Sequence, residues 1–212
     1  MNTEVYQLYL ELLEKHGSPQ KFWPQWCARK KTLATKEKIA IGAILTQRTS
    51  WHNAHLALLN LKKENLLSLQ KILGLTDFSQ LVDLIRPAGF YQTKPKRLFN
   101  FCSFAIKEYG GLEKFMAENL EVARDKLLSI PGIGPETADT ILLYVLDKPS
   151  FVVDEYTKRL VKRRGLTDNL NSDSLKNLFE ENLPGNVGVY QDFHALIIID
   201  QKGEVGSRME KI

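Results

Sequence analysis

Apolar residues recur at spacings of three and four along almost the whole chain, the periodicity of amphipathic helices. The first such stretch spans about 3–15 and puts Val5, Leu8, Tyr9 and Leu12 on one face. Others fall near 37–47, 51–62, 77–86, 95–109, 112–118, 121–129, 135–146, 155–164, 172–182 and 186–200. Local punctuation agrees with them. Asp77-Phe78-Ser79-Gln80 has the spacing of a capping box. Gly110-Gly111 closes one helix, and Gly165 after Arg163-Arg164 reads as a helix-terminating glycine. Period-two alternation is nearly absent. Phe151-Val152-Val153 and Leu196 to Ile199 are short apolar runs that read as buried segments. With no fixed-period repeat, low-complexity tract or long linker, the pattern predicts an all-α fold.

Composition changes this picture little. The chain has 212 residues, 43% hydrophobic and 25% charged, which suits one soluble globular domain or two packed ones. Charge changes it more. The net charge of +4 is modest, but Arg29-Lys30-Lys31, Lys94 with Lys96-Arg97, and Lys158-Arg159 with Lys162-Arg163-Arg164 form three separate basic clusters. Such spacing suits a surface that follows a polyanion, where each neutralised phosphate releases counterions. A solvated helix face is the plainer reading of Lys158, Arg159, Lys162 and Arg163, and Lys202 is a weaker candidate for contact. Cys27 and Cys102 lie far apart and cannot supply four clustered thiolates to zinc or iron–sulfur. They read as reduced thiols. No basic-plus-apolar leader opens the chain and no apolar run reaches the ~18 residues of a membrane span. A cytoplasmic protein is therefore expected.

Candidate chemistry gathers at four places. Pro24 breaks regular structure between Trp23 and Trp26, which places Phe22, Trp23 and Trp26 on a loop. These aromatics either staple the N-terminal helix to the core or form a wall for a flat ligand such as a base. Between two helical stretches stands Leu127-Leu128-Ser129-Ile130-Pro131-Gly132-Ile133-Gly134-Pro135. Gly132 and Gly134 permit positive φ and bring backbone amides close to an anion. Pro135 suits the first position of the next helix, whose positive end faces the same anion. Ile130 and Ile133 would pack the two helices together. Asp154 follows the apolar Phe151-Val152-Val153 and precedes a helical stretch, so it is either an ordinary N-cap or a carboxylate fixed for chemistry. His52 and His55 share a helical stretch but lack a third ligand, and no side-chain metal site is expected.

The string from Ile130 through Thr137-Ala138 resembles the helix-hairpin-helix of the endonuclease III superfamily of DNA glycosylases. The resemblance continues through Asp154 about twenty residues on, through Ile44-Leu45-Thr46-Gln47, and through Ala88-Gly89-Phe90-Tyr91-Gln92-Thr93-Lys94. It implies that Asp154 is catalytic, that Gln47 on its helix enters the gap left by an extruded nucleotide, and that Phe90 wedges between bases. It further implies DNA contacts at Gly132, Ile133, Gly134, Lys94 and Lys158, and a possible monovalent cation on the backbone carbonyls of Leu128, Ile130 and Ile133. Where lyase members carry an attacking lysine this chain has Glu136, so an N-glycosylase without strand cleavage is implied. Residues 190–212 hold none of the cysteines that bind the family's iron–sulfur cluster, so none is expected.

With Trp23, Pro24 and their neighbours, these departures look like the 3-methyladenine glycosylases of the superfamily. The substrate pocket would then include Phe22, Trp23, Pro24, Trp26 and Glu136. A glycosylase for mispaired thymine or uracil, and a non-catalytic module that binds distorted DNA, remain as alternatives. The expected architecture is all-α with two helical domains: 35–146, a barrel ending in the hairpin, and 1–34 plus 147–212, carrying Asp154. An active-site cleft would lie between them. Double-stranded DNA with damaged bases is the expected partner of a monomer.

Overall fold

The computed structural model describes residues 3–207, and every regular element among them is helical. In chain order these are α1 (Glu4–His16), α2 (Leu33–Leu45), α3 (Trp51–Lys63), α4 (Leu69–Leu73), α5 (Phe78–Ile85), α6 (Lys94–Ser103), α7 (Leu112–Met116), α8 (Leu120–Ser129), α9 (Pro135–Tyr144), α10 (Glu155–Arg164), α11 (Ser172–Asn182) and α12 (Val187–Ser207). A π-helical turn, Phe104–Glu108, prolongs α6. None of these helices is long and apolar enough to cross a membrane.

Three elements, α4, α2 and α5, differ from the sequence pattern. The five-residue α4 is too short to display a period, and the pattern misses it. Helix α2 starts at Leu33, ahead of its apolar stretch, because the Thr32 hydroxyl accepts the Thr35 N–H at 3.2 Å. It also ends earlier, at Leu45. At the start of α5, the Asp77 carboxylate accepts from the amide and hydroxyl of Ser79 rather than pairing with Gln80.

The chain divides into two compact units, one of Lys31–Leu146, the other formed by the chain up to Lys30 together with that from Asp147. In the first, α2 is the centre. Every residue from Ile39 to Leu45 is buried, because α3, α6, α7 and α9 pack around the helix. A helix enclosed on all sides needs no polar face. Helices α8 and α9 pack on each other, with Arg124 Nε donating to Asp139 Oδ1 at 2.9 Å.

In the second unit α1 lays Val5, Leu8, Tyr9 and Leu12 against α12, the face its sequence predicts. Phe151 and Phe179 stack at 4.3 Å between ring centres, and Tyr190 and Phe193 complete the cluster. Leu196 to Ile199 proves helical despite its three isoleucines. All four side chains are buried, and helix enclosure outweighs the small β-branched penalty. Gly165 ends α10 in the left-handed conformation, as its position predicts.

Asp200 ties this unit together. It accepts from Lys15 Nζ at 2.7 Å and Arg163 Nη2 at 2.8 Å, while His16 Nε2 lies at 3.0 Å. Burial alone would raise its pKa, but these three basic partners hold the carboxyl well below the usual range. A depressed folded-state pKa contributes stability that is present above the unfolded value and is lost as pH falls. Asp200→Asn is expected to lower unfolding stability at pH 7 by about 1–2 kcal/mol, because the exposed Lys15 and Arg163 are partly screened by solvent. In denaturant titrations the gap from wild type should close as pH drops below about 4.

Candidate active site and nucleic-acid interface

The hairpin lies between α8 and α9, and its conformation follows residue by residue. Ile130 turns out of α8 with φ −77° and ψ 122°, and its side chain and that of Ile133 are buried, pinning the two helices. Gly132 has φ +98°, a region an L side chain rarely adopts, and a Cβ there would stand 2.3 Å from Arg97 Cγ. Gly134 differs from the sequence expectation. Its φ of −94° suits any residue, and a Cβ there would meet nothing within 4 Å. Nothing inside the protein requires glycine at 134. The space left open lies in front of the α9 N-terminus, where Pro135 takes the first position. The first amides of a helix lack intrahelical partners and carry its positive end, so this space suits an anion.

A groove of about 480 Å³ runs past this turn, lined by Gln47, Arg48, Arg97, Gly132–Gly134 and Glu136 among others. Arg48, Arg97 and the helix end make it cationic, with the exposed Glu136 at one side. Gln47 belongs to the turn after α2, not to the helix itself. Its Nε2 donates to Gly132 O and Thr137 Oγ1, both at 3.0 Å, and Arg97 Nη1 donates to its Oε1 at 2.6 Å. Asn100 Nδ2 donates to Pro131 O at 3.0 Å. The hairpin is thus braced by side chains from outside it. The Ile130 carbonyl accepts the Ile133 N–H at 3.0 Å, which closes the turn.

The loop after α5 separates two residues that the sequence grouped together. Phe90 is 53% exposed and has φ +47°, unusual for an aromatic side chain. Lys94 is the opposite, and the expectation of a DNA contact there is corrected. It is fully buried and donates to Leu45 O and Ala88 O, both at 2.7 Å. Burial, with Arg97 nearby, lowers its pKa to about 8, so the amine stays mostly protonated at neutral pH.

In the other unit the buried, irregular Phe151-Val152-Val153 delivers Asp154 to the N-cap of α10. Asp154 Oδ1 accepts from the Thr157 amide at 2.8 Å and the Thr157 hydroxyl at 3.1 Å. Oδ2 stands 3.5 Å from His194 Nε2, and the side chain is 12% exposed. Burial opposes its charge, but His194 and the Thr157 donors outweigh burial and lower the pKa. Asp154 is therefore an N-cap and an ionised, oriented carboxylate at once, so the two readings do not compete. His194 was not singled out from sequence, because it lies forty residues away on α12. Its only mark there is a polar residue in a nearly apolar run.

Phe22, Trp23 and Trp26 are buried rather than presented as an exposed wall, and Pro24 is half-buried. Trp23 sets its ring against His194, 6.0 Å between centres at 77°, and Trp26 stands edge-on to Trp23. The aromatic loop therefore joins the histidine beside Asp154. Lys158, half-buried on α10, pairs with Glu155 at 3.4 Å, while Arg159 and Lys202 both lie over the Tyr156 ring. His52 is exposed and His55 buried beside Trp51. No group of three potential metal-ligating side chains converges among the described residues.

Residues 41–184 match the family described as HhH-GPD superfamily base excision DNA repair protein. A candidate DNA repair glycosylase of Methanocaldococcus jannaschii is 45% identical over 197 residues, covering 92% of this chain and 85% of that protein. The endonuclease III of Thermotoga maritima is 29% identical over 154 residues, 71% of this chain and 68% of its own. Among solved structures, the 3-methyladenine DNA glycosylase of H. pylori bound to 1,N6-ethenoadenine superposes with a TM-score of 0.77. The two share 28% identity over 94% of this chain and 98% of the other.

Proposed function

The chain belongs to the HhH-GPD superfamily of base excision DNA repair proteins, and from that premise we propose that it hydrolyses alkylated purines of the 3-methyladenine type from DNA without cutting the strand. It is a DNA glycosylase, with damaged double-stranded DNA as its partner. The choice of base and the absence of lyase activity are the proposal.

Asp154 is the observation that carries it: a carboxylate kept ionised, oriented by Thr157, and bordered by His194, whose ring packs against Trp23. When the bond from C1′ to the base nitrogen breaks, its electron pair leaves with the base and the sugar becomes cationic. A fixed anion stabilises that charge and accepts the proton of the water that adds to C1′. A purine alkylated on a ring nitrogen is already cationic, so it departs as a neutral base and needs no proton donor. A cation also gains ~0.5–2 kcal/mol against electron-rich rings. The indoles of Trp23 and Trp26, buried with Phe22 beside Pro24, would line the pocket only after a flipped base displaces their covering side chains. Glu136 offers no amine to attack the sugar, so the reaction stops at an abasic site. The likeness to the H. pylori enzyme supports the same substrate class.

No iron–sulfur cluster takes part in this reading, since two distant cysteines cannot ligate one. A monovalent cation on the carbonyls of Leu128, Ile130 and Ile133 would add charge opposite phosphate.

Methylated duplex DNA incubated with the protein should yield free 3-methyladenine, and borohydride should trap no covalent adduct. Release of uracil or thymine alone would move the assignment to mismatches. Lesion binding without release of any base would mean a non-catalytic module, and a trapped adduct would refute hydrolysis without lyase chemistry.

A further inference from the structure

Lys94 is a charged side chain with no exposure and a position in none of the chemistry above. Its two hydrogen bonds go to separate elements: Leu45 O at the end of α2, and Ala88 O at the end of the turn Arg86–Ala88. Each carbonyl lies two residues before a side chain at the surface that faces DNA in the proposed reading. Gln47 follows Leu45 and braces the hairpin through Gly132 O and Thr137 Oγ1. Phe90 follows Ala88 and holds its exposed ring on a backbone with φ +47°, a conformation L side chains rarely adopt.

Such a conformation persists only where its surroundings over-determine it. Here the Phe90 carbonyl accepts from the amides of Thr93 and Lys94, both at 2.9 Å, and from the Thr93 hydroxyl at 3.2 Å. The Lys94 ammonium lies 5.9 Å from the Phe90 ring centre, within the range of a weak cation–π attraction. The same residue therefore holds the Phe90 loop at the carbonyl two residues before Phe90, at the Phe90 carbonyl itself, and from the face of its ring. An exposed aromatic held by this many contacts is suited to part stacked bases.

We propose that Lys94 is a positioning residue that locks the Phe90 loop to the Gln47 turn, so that the wedge and the hairpin brace meet duplex DNA as one preset surface. The idea rests on the DNA glycosylase reading. It goes beyond it in assigning to a buried lysine the task of coupling two probes, with no contact to DNA.

A positioning role separates from general damage by substrate form. Duplex DNA must be unstacked before a base can be taken, whereas single-stranded DNA needs little unstacking. Lys94→Met fills the space but donates no hydrogen bond. It should slow single-turnover base release from methylated duplex by about 10- to 100-fold, the scale of an ångström-level misplacement. Release from the same sequence as a single strand should change less than about threefold. Phe90→Ala should show the same duplex-selective loss. The double variant should be no slower than Phe90→Ala alone, since two residues acting through one element are not additive. Equal losses on both substrates, no loss on duplex, or additive losses would each overturn the proposal.

Lys94→Gln, which keeps one donor, serves if the methionine variant does not unfold cooperatively. It should lie between wild type and Phe90→Ala on duplex. The fluorescence of 2-aminopurine beside an abasic-site analogue reports unstacking without chemistry. Wild type should raise it and Lys94→Met should not, even if no base is ever released. Failure of the glycosylase reading thus leaves this measurement standing, and the absence of a wild-type rise would count against the positioning role.

Discussion

Asp154→Asn is expected to reduce release of 3-methyladenine by about 10³-fold or more while leaving DNA binding and stability nearly unchanged. The separation is possible because Asp154 does two jobs through two kinds of interaction. As the N-cap of α10 it needs only an oxygen that accepts the Thr157 amide, and asparagine caps about as well as aspartate. As the anion beside the sugar it needs its negative charge, which asparagine lacks. Stability should therefore change by less than about 0.5 kcal/mol, whereas Asp154→Ala should lose about 1 kcal/mol more through the missing cap.

The acid limb follows from the same geometry. With its pKa lowered by His194 and Thr157 against burial, the carboxylate stays ionised below the usual carboxylate range, and its contribution is lost only as pH falls through that depressed value. Activity limited by Asp154 should thus persist to a lower pH than the ordinary value of about 3.9 would allow. Asp154→Asn with undiminished release would remove Asp154 from the mechanism. A large drop in stability would mean that the cap, not the charge, was lost.

The second large effect is expected at the hairpin, where the two glycines should behave differently. Gly132→Ala forces a Cβ into a positive-φ position and against the stem of Arg97. Arg97 holds Gln47, and Gln47 holds the Gly132 carbonyl, so the clash propagates round that ring of contacts. A stability loss of about 1–3 kcal/mol and at least tenfold weaker DNA binding are expected. Gly134→Ala, with ordinary φ and open space around it, should fold like wild type and still bind about tenfold more weakly, since its methyl occupies the approach to the α9 amides. Thermal melting and binding titrations at two salt concentrations test the pair. Equal behaviour of the two variants would show that the empty space at Gly134 has no ligand.

Much of the fold was legible because helices announce themselves locally. Val5, Leu8, Tyr9 and Leu12 share a face by spacing alone, and Gly165 ends α10 where a left-handed residue is needed. The hairpin was legible for a related reason, since glycine, proline and isoleucine each have a backbone or packing consequence within three or four residues. Asp154 was legible by its place between an apolar run and a helix. Lys94 was misread because a lysine in a basic cluster looks solvated, and only the carbonyls of Leu45 and Ala88, from elsewhere in the chain, make its burial tolerable.

What the sequence determined by itself, then, is what depends on neighbours along the chain: helix periodicity, caps, the turn between α8 and α9, and the lack of a lysine at 136. The tertiary structure alone decided what depends on residues distant in sequence. It set His194 beside Asp154, closed Gln47 and Arg97 around Gly132, buried the tryptophans, and turned Lys94 from a surface charge into an internal tie. A buried polar group is stable only when partners come to it, and those partners are brought by the fold rather than by the local sequence.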